Sequence, residues 1–527
     1  MNMKKYIIIT LLSGLVLGFF LTGCTKDFEE INTNKRVLAK LDKSTIGNVY
    51  AYCQYNGLMN GWSFQISQNL FADLYAQYYS NIQTKFPSDR YILVGGWLNS
   101  AWNGFYSHAA ANLKVILDKT DPSTEEGQGM ETQHALLQIW KVFMYQRITD
   151  YWGPIPYTAV GNGETSVPYD PQDKIYDDFL TTLDDALSVL NNHHGENAFG
   201  QHDQIYGGDI DSWIRFANTL RLRIAMRIVN VDPARAKTEA EKAIAGGVIE
   251  TNDQNAIFHT TPDSWNALNI MLPWNEFRMS ASMESVLKGY HDPRLSGFFS
   301  PTVNSVNAGS PEYRGLRNGY SIEGLSAEDL HYDNLSRMGP RWTDPGAKGT
   351  NPIEVIKASE AYFLRAEGAW RGWNMGGGSA EDYYNLGITR SLQFWGADED
   401  SITAYLNRTD TPVSTHDAPT PMTTIPVKFS TDHGTQFEQI ITQKWLALYP
   451  DGWEAWSDAR RSGFPRLYPR LVSDNPDVPA DAMMRRVTFV ISEYNTNADE
   501  VEKAKTYLGG PDKGSTRLWW NPASKKK

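Results

Sequence analysis

Three shortages limit what this chain can be. Cysteine is almost absent, with two in 527 residues. If Cys24 is used for another purpose only Cys53 remains, so no internal disulfide can form and stability outside the cytoplasm must come from a large core. Positive charge is also short: Lys and Arg number 49 against 61 Asp and Glu, giving a formal charge of −12. Nucleic acid is a poor partner for such a chain. Long apolar runs are missing as well. The one candidate, Tyr6 to Phe20, falls short of the roughly 20 apolar residues that a spanning helix needs.

That short run has another use. Lys4 and Lys5 precede it, and Leu21-Thr22-Gly23-Cys24 closes it with small residues and a cysteine. Basic residues, an apolar segment and a small-residue cleavage site make a secretory signal. A cysteine directly after the cut is the acceptor of a bacterial lipid anchor, so residues 1–23 are expected to be removed and Cys24 acylated. The mature protein would then lie on a membrane without crossing it.

Aromatic residues are plentiful, with 17 Trp, 27 Tyr and 21 Phe. Residues 24–44 read as a lipid-anchored tether, with Phe28 and Ile31 among charges and a turn at Asn32-Thr33-Asn34. Residues 45–527 read as a single, mainly all-α domain. Helical spacing runs from Thr45 to Ser80 with breaks at Asn56-Gly57 and Asn60-Gly61, from Trp97 to Asp118, and from Glu131 to Asp150, where half the surface should be buried. Further helices follow over Gln172–Leu190, Asp211–Val229 and, from Pro233, a short alanine-rich segment ending at Gly246-Gly247. The last two make a hairpin of tetratricopeptide size. A second hairpin is expected from Pro352–Trp370 and Glu381–Trp395, joined through Gly376-Gly377-Gly378-Ser379. Thr435–Leu448 leads into a last strong helix with Arg460 and Arg461 in its final turn and Gly463 as cap.

Between about 248 and 351 lies a loop-rich insertion heavy in Gly, Pro, Asn and Ser. Stretches of that length inside a packed protein are usually functional, so the ligand is expected there. Flat aromatic faces there would suit the apolar side of a ligand. The candidates are Trp62 and Trp97 in early loops, and Trp265, Trp274, Tyr320 and Trp342 in the insertion. Trp140, Trp213, Trp370, Trp395 and Trp445 sit at helical spacing and read as core, and Trp519 and Trp520 as packing. His193, His194 and His202 near Glu196 and Asp203 lack metal-ligand spacing, so no metal site is read. No calcium-loop spacing and no nucleophile elbow appears either. A lipid-anchored helical glycoside hydrolase is the rival reading, since 61 acids leave a flanking carboxylate pair open. A scaffold binding only protein would predict fewer loop aromatics.

Several stretches together resemble the SusD/RagB nutrient-binding outer-membrane lipoproteins, in their SusD-like branch. They are Cys24 with Phe28-Glu29-Glu30-Ile31-Asn32-Thr33-Asn34, Tyr151-Trp152-Gly153-Pro154-Ile155-Pro156-Tyr157, Asn275-Glu276-Phe277-Arg278-Met279-Ser280, Asp292-Pro293-Arg294-Leu295, Ala361 to Glu367, and Gln443-Lys444-Trp445 through Gly463. They run in order along nearly the whole mature chain, with one departure at Lys35, where the family commonly has proline. The resemblance implies a surface-exposed outer-membrane lipoprotein built on tetratricopeptide-like helices. It implies a SusC-like TonB-dependent transporter as partner and an oligosaccharide, or in some members a peptide, as ligand. The inserted loops would carry the ligand while the helices face the transporter. No cofactor is implied beyond the structural ion that some members hold.

Overall fold

The computed structural model describes residues 42–523 apart from 44, 165 and 344–349, with the side chains of 62, 272 and 343 left out. Cys24 and the tether up to 41 lie outside the described residues. Contacts divide the chain into a short unit, Met1–Asn48, and a large one, Val49–Lys527. The insertion and every helix after the first belong to the large unit.

The frame is a row of helical hairpins. Helices α1 (Ile46–Gly57), α2 (Gly95–Gly104) and α3 (Ala111–Thr120) come first. The first hairpin pairs α4 (Glu131–Trp152) with α5 (Gln172–Leu190), and the second pairs α6 (Ile210–Ile228) with α7 (Pro233–Ala245). After the insertion, α8 (Ala358–Trp370) pairs with α9 (Ala380–Phe394), and α10 (His433–Leu448) packs on both α8 and α11 (Gly452–Ser462). The all-α expectation holds, and the hairpin repeat extends further along the chain than its spacing suggested.

Local chemistry sets the ends of these helices. Asp209, Asp232, Ser379 and Asp451 each accept a backbone N–H at a helix start, satisfying donors that the helix leaves open. Helix α4 is buried well beyond the half expected: every residue from Val142 to Trp152 is inside. It is covered on several sides, by α3, α5, α6 and α11. It stops at Gly153, whose φ of +87° and whose approach to the Leu518 side chain leave no room for a Cβ. Tyr151 stacks on Trp453 with ring centroids 3.7 Å apart, so the Tyr-Trp-Gly-Pro corner is a packing device.

One expected helix is corrected. The segment from Pro352 is not helical at its start: Ile353–Ile356 forms strand β4, which pairs antiparallel with β2 (Ala256–Phe258). Its β-branched Ile353, Val355 and Ile356 suit an extended backbone, and α8 begins only at Ala358. This ribbon closes the base of the insertion. A second ribbon, β1 (Tyr79–Asn81) with β3 (Phe277–Met279), pins its middle.

The interior between hairpins is charged. Arg223 meets Glu360 at 2.7 Å, Arg227 meets Glu454 at 2.5 Å and Asp150 at 3.1 Å, and Arg461 meets Glu367 and Asp458 at 2.6 Å each. Lys444 adds a contact to Asp458 at 3.1 Å. Arg294 holds Asp292 through two nitrogens at 2.8 and 2.6 Å. Burial drives the Glu367 and Asp458 carboxyls up, but the Arg461 guanidinium and its neighbouring cations outweigh it and hold both below the usual carboxylate range. Asp292, Arg294, Glu367, Lys444, Glu454, Asp458 and Arg461 belong to the motifs that carry the resemblance, and their work here is architectural.

Candidate ligand cleft

A cleft of about 470 Å³ opens between the start of the domain and the insertion. Two stretches of wider, π-type helix frame it, Gln65–Asp73 and Phe105–Ala110. Such turns insert one extra residue and often mark functional sites. Tyr52, Tyr55, Asn56 and Met59 line it from the end of α1 and the turn beyond, a spacing of three and four residues that puts them on one helical face. Ser100 and Gly104 come from α2, His108 from the π segment, and Asp263 and Trp265 from the insertion.

Hydrogen bonds clip the two sides together. Asn60 Oδ1 accepts from Gly61 N at 2.7 Å and from Ala267 N at 2.8 Å, tying the early turn to the insertion. The Tyr55 hydroxyl donates to the Trp265 carbonyl at 2.8 Å, and its ring stacks on Phe258 of β2. Gly61 has a φ of +74° and lies so near the Tyr55 hydroxyl that a Cβ there would stand 2.7 Å from it. Tyr52, 44% exposed, shares a 2.9 Å hydrogen bond with His108 Nδ1. Burial raises the Tyr52 and Tyr55 phenols above their ordinary values, so both are neutral hydroxyls at physiological pH.

The six predicted aromatics do not form one arc. Trp265 lines the cleft, and Trp62 belongs to a short turn, Gly61–Ser63, whose two end residues line it; the Trp62 side chain lies outside the described ones. Trp97 is half-buried, edge-on to Phe71 and Phe86. Trp274 is 43% exposed beside a polar clasp in which Glu276 meets Lys85 at 2.9 Å and Gln65 at 2.6 Å. Tyr320 lies elsewhere, packed on Leu316, Leu330 and Leu335, its phenol pushed up to about 12 by burial and by neighbouring Asp417. Trp342 is corrected to core: it is 1% exposed, walled in by Trp395 and Tyr449.

Tyr52, Tyr55, His108 and Asp263 are not among the residues that the sequence singles out. A signal for the tyrosines exists in the spacing of Tyr52, Tyr55, Asn56 and Met59, but it reads equally as core packing. Among the described residues no group of three or more His, Cys, Asp or Glu is placed to hold a metal ion. His193 and His194 pair instead with Glu196 and Asp211.

What the arrangement offers is tyrosine and tryptophan surface rimmed by hydroxyl, amide and imidazole groups, flat apolar faces with polar groups at their edge. Compared with protein-family models, residues 29–521 match SusD-like, described as Susd and RagB outer membrane lipoprotein. The chain belongs to this family. It is therefore an outer-membrane lipoprotein of the SusD-like kind, and its motifs and hairpins are those of that fold. Among solved structures, a chitin-binding SusD homologue from Flavobacterium johnsoniae is 34% identical, with a TM-score of 0.82 over 91% of this chain and 99% of that one. A SusD homologue from Bacteroides vulgatus is 31% identical, with a TM-score of 0.81 over 91% and 98%. A further structure, named a chitin-binding protein, is 29% identical, with a TM-score of 0.75 over 90% and 99%. Comparison with the curated proteins gave no match.

Proposed function

We propose that this SusD-like chain captures nutrient oligosaccharides at the cell surface in the cleft between α1, α2 and the insertion, and delivers them to a SusC-like TonB-dependent transporter. Acylated Cys24 holds it in the outer membrane. The observation that carries this reading is the cleft itself: Tyr52, Tyr55 and Trp265 around one hollow, with Ser100, Asn56 and His108 at hand for hydroxyls. Two solved relatives are named chitin-binding, which supports a glycan over a peptide and an N-acetylglucosamine chain among glycans. Glycoside hydrolysis takes two carboxylates flanking the scissile bond, and the cleft lining supplies one, Asp263. Binding without turnover is the role this lining supports, and it needs no cofactor.

The test is calorimetric titration of the soluble chain that begins after Cys24 against chitin oligosaccharides, other glycans and peptides, with chromatography of each mixture. Saturable binding with intact oligosaccharide recovered is expected. Released fragments would establish the hydrolase instead, and binding of peptides alone would replace the glycan as ligand.

A further inference from the structure

The cleft is lopsided in charge. None of its lining residues is lysine or arginine, and Asp263 is the one carboxylate. Asp263 stands exposed in the loop that also carries Trp265, and no cation among the described residues neutralises it. Cations on neighbouring elements are committed elsewhere: Lys85 to Glu276 at 2.9 Å, and Arg147 to Asp451 at 3.4 Å. The whole chain adds a field of the same sign, with its formal charge of −12. With the His108 imidazole neutral, a carboxylate or sulfate entering this hollow would lose hydration and gain no charged partner in return. An ammonium would meet Asp263 at the exposed rim of the hollow, where the attraction is that of a surface ion pair.

We propose that the cleft selects by charge: it accepts neutral and amine-bearing oligosaccharides, reads the ammonium of a deacetylated amino sugar through Asp263, and turns away glycans bearing carboxylate or sulfate. This rests on the cleft being the glycan site. It names the class of ligand the cleft takes, amino-sugar chains whether acetylated or partly deacetylated, and it assigns Asp263 as the residue that distinguishes the two.

Three tetrasaccharides titrated at neutral pH into the soluble chain that begins after Cys24 test it: a fully N-acetylated glucosamine tetramer, its deacetylated counterpart with part of its amines protonated, and a galacturonate tetramer. The acetylated tetramer should bind, the deacetylated one about two- to fivefold more tightly, the scale of an exposed ion pair, and the galacturonate not at all. The gap between the first two should close in Asp263→Asn and also in high salt, which screens an ion pair but not the contacts of the neutral tetramer. Galacturonate binding as well as the neutral tetramer would overturn the proposal, as would a preference for the amine that survives Asp263→Asn. Trp265→Ala separates the two levels of the claim. If that variant binds the neutral tetramer as the parent does, or if no tetramer binds the parent, the cleft is not the glycan site and the functional reading falls. If the neutral tetramer binds through Trp265 without any charge preference, only the proposal about Asp263 falls.

Discussion

Removing the charge of Glu367 tests whether the buried ion pairs hold the hairpins together. Both Glu367 oxygens receive Arg461 nitrogens at 2.6 Å, each side chain being 1% exposed, and Arg371 adds a contact at 2.8 Å. Glu367→Gln keeps the size and one acceptor oxygen but leaves Arg461 short of a counter-charge in the interior. Breaking a buried pair from one side costs about 3–5 kcal/mol. Asp458 stays on Arg461 at 2.6 Å and retains part of the compensation, which places the expected loss near the lower end, about 3 kcal/mol. Unfolding entropy of about 2.1 cal/mol/K per residue, over the roughly 480 residues of the large unit, amounts to about 1 kcal/mol/K. The Tm should therefore fall by about 3 °C, with a matching shift in urea midpoint. Scanning calorimetry of the soluble chain measures it, with Arg461→Met and the double variant completing a cycle. The double should cost less than the two single losses added, because neither partner is left facing an empty place. A Glu367→Gln variant within about 0.5 kcal/mol of the parent, or strictly additive losses, would refute this account of the interior.

The two tryptophans of the insertion should separate function from packing. Trp265→Ala is expected to weaken oligosaccharide binding roughly three- to tenfold with little change in Tm, whereas Trp342→Ala should cost about 3–5 kcal/mol of stability and leave affinity intact; titration and calorimetry of both variants decide it. Cys24→Ala should yield a folded protein that leaves the outer-membrane fraction, and continued association without its partners would show another anchor. Because Glu367 and Asp458 have folded-state pKa values below their unfolded ones, their contribution is full above the ordinary carboxylate range and fades as pH drops below about 4.5. Urea midpoints taken from about pH 6 down to about pH 3 should fall, and less steeply in Glu367→Gln.

Much of the frame is legible in the sequence because it rests on local signals. Asp232 before Pro233, the 3.6-residue spacing of α5 and α6, and the Gly463 stop after Arg460 and Arg461 all announce themselves within a few residues. What is not legible is long-range. Arg461 and Glu367 stand 94 residues apart, and each reads as an exposed helical charge until the fold brings them together. Ile353–Ile356 reads as the start of the following helix because its partner strand lies about 100 residues earlier. The insertion aromatics that the sequence singles out do not form one group. Trp265 reaches the cleft, while Trp342 lies under Trp395 and Tyr449 because a ring of that size in a loop is as useful for filling space as for meeting a ligand. Tyr52 and Tyr55 belong to the opposite wall, and only tertiary structure shows that α1 faces the insertion there.

The buried ion pairs and the cleft have no residue in common. None of the side chains lining the hollow takes part in the Arg223, Arg227, Arg294 or Arg461 clusters. Scaffold and proposed site are thus separable parts of one chain. If the cleft holds the ligand as proposed, exchanging Tyr52, Ser100, Asp263 or Trp265 would alter what is held while every buried ion pair keeps its partner, so one frame could be refitted for a different ligand with its interior left alone.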